Sequence, residues 1–405
     1  MKRHLLRLRR SSVDPTGPPG RLRSFLIQFL RTESGGGAIL LAATVLALVL
    51  ANGPLSSTYE DLWTATLSFS RPAWLLLDVR HWVNEGLMAL FFFLVGLEIK
   101  REFTRGELRD RKQAALPLVG AVGGMMLPAG IYLLVNAGGD LRGWPIPMAT
   151  DIAFAIGLVA LLGRLVPLPI KLFILTLAIA DDLGAVVVVA IAAPETIRIT
   201  WLLALLVCVG VAILSKVLWI RSLWTIAAVG ILMWFLTLRS GVHPTIAGVA
   251  LAFMIPSGPP LIERLERALH PWSSFVILPL FAFANAGVDL SPLFSNAFQS
   301  PITVGIALGM VVGKTVGIFG AAWLSIRFRL ARLPPGVRGI QLLGAAAICG
   351  VGFTVSLFMA ALSFEGKMLA NAKIGILVGS VLSAVLGSLI LWSSRDRIRR
   401  TIVSS

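Results

Sequence analysis

Residues 177–190 read Leu-Ala-Ile-Ala-Asp-Asp-Leu-Gly-Ala-Val-Val-Val-Val-Ala, two adjacent carboxylates inside a run apolar enough to cross a bilayer. A helix-centre Asp costs roughly 3 kcal/mol on insertion scales, so Asp181 and Asp182 together cost on the order of 6 kcal/mol without compensation. Two readings account for them. One is a buried structural pair held by a Lys or Arg. The other is a site for a proton or a small cation. A carboxyl can carry a proton, and once ionised it offers only acceptor oxygens, which suit a hard ion such as Na⁺ or Li⁺. A site that holds either, but not both, couples the two by competition when it faces each side in turn.

The other polar groups at membrane depth point to the second reading. Lys314 is the only basic residue placed deep in an apolar segment. A buried ammonium needs an anion, and Asp181, Asp182 and Asp151 are the candidates. The segment Trp144-Pro-Ile-Pro-Met-Ala-Thr-Asp151 places Pro147, Thr150 and Asp151 inside a span. Proline cannot continue the hydrogen-bond ladder, and broken backbone at that depth needs a cavity or protein around it. Cys349-Gly-Val-Gly-Phe-Thr354 is a matching interruption. Two broken spans in corresponding halves are the sequence pointer to a transporter built on inverted repeats. Gly305, Gly309, Gly313 and Gly317 form a small-residue stripe that predicts close helix packing. Neighbouring helix positions point about 100° apart. One aspartate of the pair is therefore expected to meet Lys314 while the other faces a water-filled cavity, and the spacing leaves open which is which.

These residues must be positioned by a membrane-spanning scaffold. The chain has 405 residues, 57% hydrophobic and 14% charged, a composition that excludes an ordinary soluble domain. Twelve apolar segments alternate with short polar loops: 36–52, 79–99, 115–136, 145–163, 170–193, 199–218, 223–238, 243–256, 272–288, 302–324, 338–362 and 369–393. The eighth is short enough to be tilted or re-entrant. With the N-terminus inside, 28 of the 36 Lys and Arg fall on inside segments and 7 on outside loops, Lys314 completing the set. That bias places both termini in the cytoplasm. It also explains the net charge of +16 without a nucleic-acid partner. Residues 1–34 read as a disordered basic tail, ending in a short surface helix, and 396–405 as a C-terminal tail. The loop 53–78 reads either as a small β-hairpin, from weak alternation over Thr64–Phe69, or as a surface cap. Cys208 and Cys349 are too few for a disulfide framework or a thiolate metal site. His4, His81, His243 and His270 lack the spacing of a zinc hydrolase.

Several motifs together resemble the NhaA-type sodium/proton antiporters of bacterial inner membranes. They are Ala149-Thr-Asp-Ile-Ala-Phe154, Ala178-Ile-Ala-Asp-Asp-Leu-Gly184, Gly313-Lys314 and Gly350-Val-Gly-Phe-Thr354. Val95-Gly-Leu-Glu-Ile-Lys-Arg-Glu102, Ser240-Gly-Val-His-Pro244 and His270-Pro-Trp272 extend the match to about residues 35–395. The resemblance implies an all-α polytopic fold of twelve helices with inverted repeats, an architecture for which NhaA is itself a type example. The fourth and eleventh helices would be interrupted and cross at mid-membrane, with Thr150, Asp151 and Lys314 at the crossing. It implies that Asp182 is the principal Na⁺ ligand and proton carrier. Asp181 would pair with Lys314 in one state and share in proton exchange. It implies electrogenic export of Na⁺ or Li⁺ against protons, with no cofactor beyond the transported ions. It also implies a homodimer joined through 53–78, in contact with membrane lipid. A cluster of Glu98, Arg101, Glu102, Glu266 and His270 would switch activity on at alkaline pH. Arg267 departs from the family pattern, which has a His there, and an Arg does not titrate near neutrality.

Rival classes fit less well. An intramembrane aspartyl protease needs a Gly-x-Gly-Asp motif, which the chain lacks. A cation channel wants a repeated filter loop or rings of like residues. A proton-coupled carrier of another solute is the remaining alternative.

Overall fold

The computed structural model describes residues 18–66, 77–106, 111–192, 197–214, 222–256, 259–291 and 297–394. They form helices α1 (Pro18–Ala51), α2 (Ser56–Thr64), α3 (Val79–Arg105), α4 (Arg111–Val135), α5 (Ile152–Leu162), α6 (Leu168–Ala192), α7 (Ile199–Leu214) and α8 (Leu223–Ser240). Then come α9 (Thr245–Met254), α10 (Pro259–Trp272), α11 (Leu278–Asn285), α12 (Pro301–Arg327), α13 (Gly339–Ile348), α14 (Phe353–Ser363) and α15 (Gly366–Ser393). There is no strand among the described residues.

Among the described residues, seven helical segments are long and apolar enough to cross a membrane, and nine if two bent pairs each count as one span. The protein is thus a multi-pass helical membrane protein. The expected twelve is a larger number than this. Segment 243–256 appears as α9, of 10 residues, short of a full span, and the described part of segment 199–218 is α7, residues 215–218 lying outside the described residues. The expected tail boundary at 34 falls inside α1, which runs unbroken from Pro18. Residues 1–17 and 395–405 lie outside the described part. In the 53–78 loop the chain turns by 114° from α1 into α2. The weakly alternating stretch yields one antiparallel bridge, Thr66 to Asp78. Residues 67–76, the rest of the expected hairpin, are outside the described residues.

Packing follows small residues. A Cβ on Gly313 would approach Pro128 Cα of α4 to 2.7 Å, and one on Gly309 would approach Pro147 Cβ to 2.8 Å. Gly317 lies against the Gly123 carbonyl. The predicted glycine stripe therefore brings α12 onto α4 and fixes where Lys314 enters the core. On the other side, Gly96 of α3 packs on Ala252 of α9. The outer surface is apolar, with Leu134, Leu161, Val207, Leu214 and Trp224 among its exposed side chains, as a lipid-facing surface requires.

Three π-helical turns interrupt the long helices: Trp82–Leu87 within α3, Ser273–Ile277 between α10 and α11, and Gly309–Gly313 just before Lys314. Such bulges are concentrated at functional positions.

Candidate functional site

The site begins where two helices are broken. Before α5 the backbone passes through a 3₁₀ turn, Ile146–Met148, and runs extended at Ala149 and Asp151. Between α13 and α14 it leaves the helix at Gly350–Gly352, with a bend of 45°. A Cβ on Gly350 would lie 2.5 Å from Met310 O, and one on Gly352 would meet Ala149 O. Only glycine allows the two breaks to approach this closely.

The breaks satisfy each other's backbone groups. The Asp151 amide donates to Val351 O at 2.7 Å, and the Thr150 hydroxyl donates to Cys349 O at 2.9 Å. Asp151 Oδ1 accepts from Phe154 N at 3.1 Å, capping α5. Its Oδ2 accepts from the Thr354 amide at 2.9 Å and the Thr354 hydroxyl at 2.5 Å, in the first turn of α14. One carboxylate thus serves two helix N-termini, where negative charge is stabilised by the aligned peptide dipoles. At the other polarity, Thr150 carries the C-terminal carbonyl of Cys349 and accepts from Lys314 Nζ at 2.7 Å.

Lys314 is fully buried and pairs with Asp181 Oδ2, itself in a residue only 1% exposed. Asp182, 3% exposed, makes no hydrogen bond to a described residue. It lines a cavity of about 40 Å³ together with Glu98, Thr150, Asp151, His270, Ser273 and Thr354. That volume holds about two or three waters. The helix rotation left open by the spacing is thus resolved: Asp181 faces α12 and Asp182 faces the cavity. The cavity wall sets the carboxylates of Asp182, Asp151 and Glu98 and the hydroxyls of Thr150, Ser273, Ser274 and Thr354 among apolar side chains such as Phe91, Leu94 and Leu278. A proton or a hard monovalent cation suits such a wall. No cluster of three or more His, Cys, Asp or Glu suited to a metal centre occurs among the described residues.

Beside the cavity, Arg101 of α3 bridges Glu266 at 2.8 Å and Glu102 at 3.3 Å. Glu266 lies on α10, whose apolar residues Ile262 and Leu265 also turn inward. Burial raises its carboxyl above the usual glutamate value, and Arg101 opposes the shift. The structure therefore gathers all five residues of the expected cluster around one end of α3: Arg101, Glu102 and Glu266 in a bonded group, Glu98 and His270 on the cavity wall. Arg267 is exposed and donates to Glu263 O at 3.1 Å, one turn back on its own helix.

The chain matches the family described as Na⁺/H⁺ antiporter 1 over residues 27–391. The chain belongs to that family. Relatives agree over nearly their whole length. A Na⁺/H⁺ antiporter NhaA 2 of Pseudomonas syringae pv. syringae is 48% identical over 91% of this chain and 95% of its own. Na⁺/H⁺ antiporter NhaA proteins of Rhodospirillum rubrum and Proteus mirabilis are 46% and 43% identical, over 91% and 94% of this chain and 97% and 99% of theirs. Membership in an antiporter family makes the chain a transporter rather than an enzyme.

Three groups of this family member escaped the sequence reading. Lys100 is one of the 28 inside charges, yet its ammonium is buried and donates to Phe253 O at 2.7 Å and to Ile255 O. It caps the C-terminus of α9 and holds the end of α3 against it. Ser273 and Ser274 enter the cavity wall through a π-helical turn that no hydrophobic period reveals. Glu85 and His243 meet at 3.5 Å on the far side of the aromatic core, and only the Ser240–Pro244 motif hinted at the histidine.

Proposed function

We propose that the protein exports Na⁺ or Li⁺ in exchange for protons across a bacterial inner membrane, with both termini in the cytoplasm. The carrying observation is the division of labour in the aspartate pair. Lys314 neutralises Asp181, whereas Asp182 stands unbonded at a small cavity. An ionised Asp182 binds the metal ion, and a protonated one cannot. Competition for that carboxylate is the coupling step. Asp181 takes part when Lys314 lets go of it, so that more than one proton enters per Na⁺ and the membrane potential drives the cycle. Thr150 and Asp151 hold the broken helices at the crossing, and no cofactor is needed.

Alternation between the two sides needs a closed barrier. Thr354 and Val355 of α14 line the Asp182 cavity, while Ala361 to Phe364 line a second cavity of about 650 Å³ with Glu85 and His243. At the helical rise these two ends of α14 are roughly 10 Å apart. Between them Phe358 is buried against Phe92, Phe281 and His243, at ring distances of 5.5, 6.3 and 5.2 Å. In our reading the small cavity belongs to the cytoplasmic side, where the basic loops lie, and the large one to the outside. The scaffold is read as twelve spans in inverted repeats, with α13 and α14 as one broken span and the 3₁₀ segment plus α5 as the other. The 53–78 loop joins two copies in a homodimer within the lipid bilayer. The Glu98, Arg101, Glu102, Glu266 and His270 cluster, next to the cytoplasmic cavity, sets activity at alkaline pH.

The test is purified protein in vesicles with a preset pH gradient and a series of chloride salts. Na⁺ and Li⁺ are expected to dissipate the gradient at alkaline pH, faster when an imposed potential favours proton entry. A K⁺ response equal to that for Na⁺ refutes the selectivity. Indifference to the imposed potential refutes electrogenic exchange.

A further inference from the structure

The large cavity has a built floor that the exchange reaction at Asp182 does not use. Glu85 lies in the π-helical turn of α3, the same local device that sets Ser273 and Ser274 in the cavity wall and precedes Lys314. Its peptide is held in place: Trp234 Nε1 donates to Glu85 O at 2.9 Å, and Trp82 stacks on Trp234. The adjacent Asn84 accepts from Asn285 at 2.8 Å. The carboxylate points at His243, which is 8% exposed.

The tautomer of His243 follows from its neighbours. The Thr245 amide points at Nδ1 at 3.4 Å, and the Thr245 hydroxyl lies 2.8 Å from the same nitrogen. Nδ1 is therefore the acceptor and Nε2 carries the proton, 3.5 Å from Glu85 Oε1. Glu85 Oε2 is buried with no hydrogen-bond partner, and so is His243 Nε2. A bare buried carboxylate oxygen is unfavourable unless a water or an ion completes it. The other titratable groups lining this cavity are His81, Arg142 and Glu365. Arg142 holds Asp140, and His81 holds Asp78 at 2.8 Å. Glu85 makes no ion pair with a described Lys or Arg.

We propose that Glu85 is a second monovalent-cation site, on the outer side of the Phe358 barrier, where Na⁺ pauses between Asp182 and the solvent. His243 Nε2 stands 3.5 Å from Oε1, which leaves Oε2 for the ion. A single carboxylate favours a weakly held monovalent ion over a divalent one, as a transit site requires. The assignment of sides rests on the antiport reading; the existence of the site does not.

Two measurements separate these. Sodium NMR relaxation in the purified Asp182→Asn protein reports Na⁺ binding without any transport. We expect residual Na⁺ binding in Asp182→Asn that is lost in Asp182→Asn combined with Glu85→Gln. Equal relaxation in the two proteins overturns the proposal, whether or not the protein exchanges ions. Transport then tests the location. In right-side-out vesicles Glu85→Gln is expected to raise the half-saturating Na⁺ about tenfold, the loss of one close charge pair in a solvated setting. In everted vesicles the same variant should shift it by less than about twofold. Equal shifts on both faces, or none on the outer face, overturn it. Should Glu85→Gln fail to reach the membrane, Glu85→Asp carries both tests, with a smaller shift of the same sidedness.

Discussion

Replacing Lys314 by Ala leaves the Asp181 carboxylate in a site that excludes water. Both partners are essentially inaccessible, and the ammonium also serves the Thr150 hydroxyl, which in turn holds Cys349 O across the two helix breaks. Removing one partner of a buried pair typically destabilises by about 3–5 kcal/mol, because the remaining charge is uncompensated. The double variant Lys314→Ala with Asp181→Asn removes that charge, so it should recover about 2 kcal/mol or more relative to Lys314→Ala alone. Lys314→Arg keeps the charge and should lie between Lys314→Ala and the parent. Unfolding can be followed in detergent with a thiol-reactive fluorophore in a Cys208→Ser background, because Cys208 is partly exposed whereas Cys349 is buried inside the crossing and reacts only when it opens. If Lys314→Ala unfolds at the parent temperature, the pair does not hold the crossing together. If the double variant is as unstable as the sum of the singles, Lys314 and Asp181 are not coupled, and the reasoning fails.

Further predictions follow from the same geometry. Asp151→Ala removes the cap of α5 and both bonds to Thr354, and should cost about 2–4 kcal/mol in the same unfolding assay, with Asp151→Asn milder. Gly317→Leu drives a side chain into the Gly123 carbonyl; expression of folded protein should fall sharply, while Gly320→Leu, with open space at its Cβ, should be tolerated. Glu266 binds its proton more tightly folded than unfolded, so its contribution is full below the ordinary value of 4.5 and is lost as pH rises through the elevated one. Glu266→Gln should flatten the fall of thermal stability over that range, and an unchanged pH profile would count against the burial argument.

Much of this site was legible because a membrane makes polar residues expensive. Asp181, Asp182, Lys314 and Asp151 had to find partners or water, and the Pro147 and Gly350–Gly352 interruptions had to lie near protein groups that could satisfy them. The structure brings all of them together. The order within the aspartate pair was not legible from spacing, since it depends on how far α6 is rotated against α12, a property of packing across the glycine stripe. The 53–78 loop carries two competing local signals. Its alternation near Thr64 competes with a helical signal, Tyr59 and Trp63 four residues apart, and both rings pack edge-on against Phe283, at 5.7 and 5.4 Å. Segment counting reaches twelve from hydrophobicity and the loop-charge bias, whereas α9 is short as folded and one long segment is partly 3₁₀. The burial of Lys100 was not legible, because nothing in the sequence shows that the C-terminus of α9 lies against it.

The central claim is that one carboxylate, Asp182, is the place where Na⁺ and protons compete. Its most direct test is Na⁺-driven dissipation of a preset pH gradient in everted vesicles at alkaline pH, comparing the parent with Asp182→Asn. The account predicts a full response to Na⁺ and Li⁺ in the parent and none in Asp182→Asn, with equal amounts of protein in the membrane. Undiminished exchange in Asp182→Asn would contradict it.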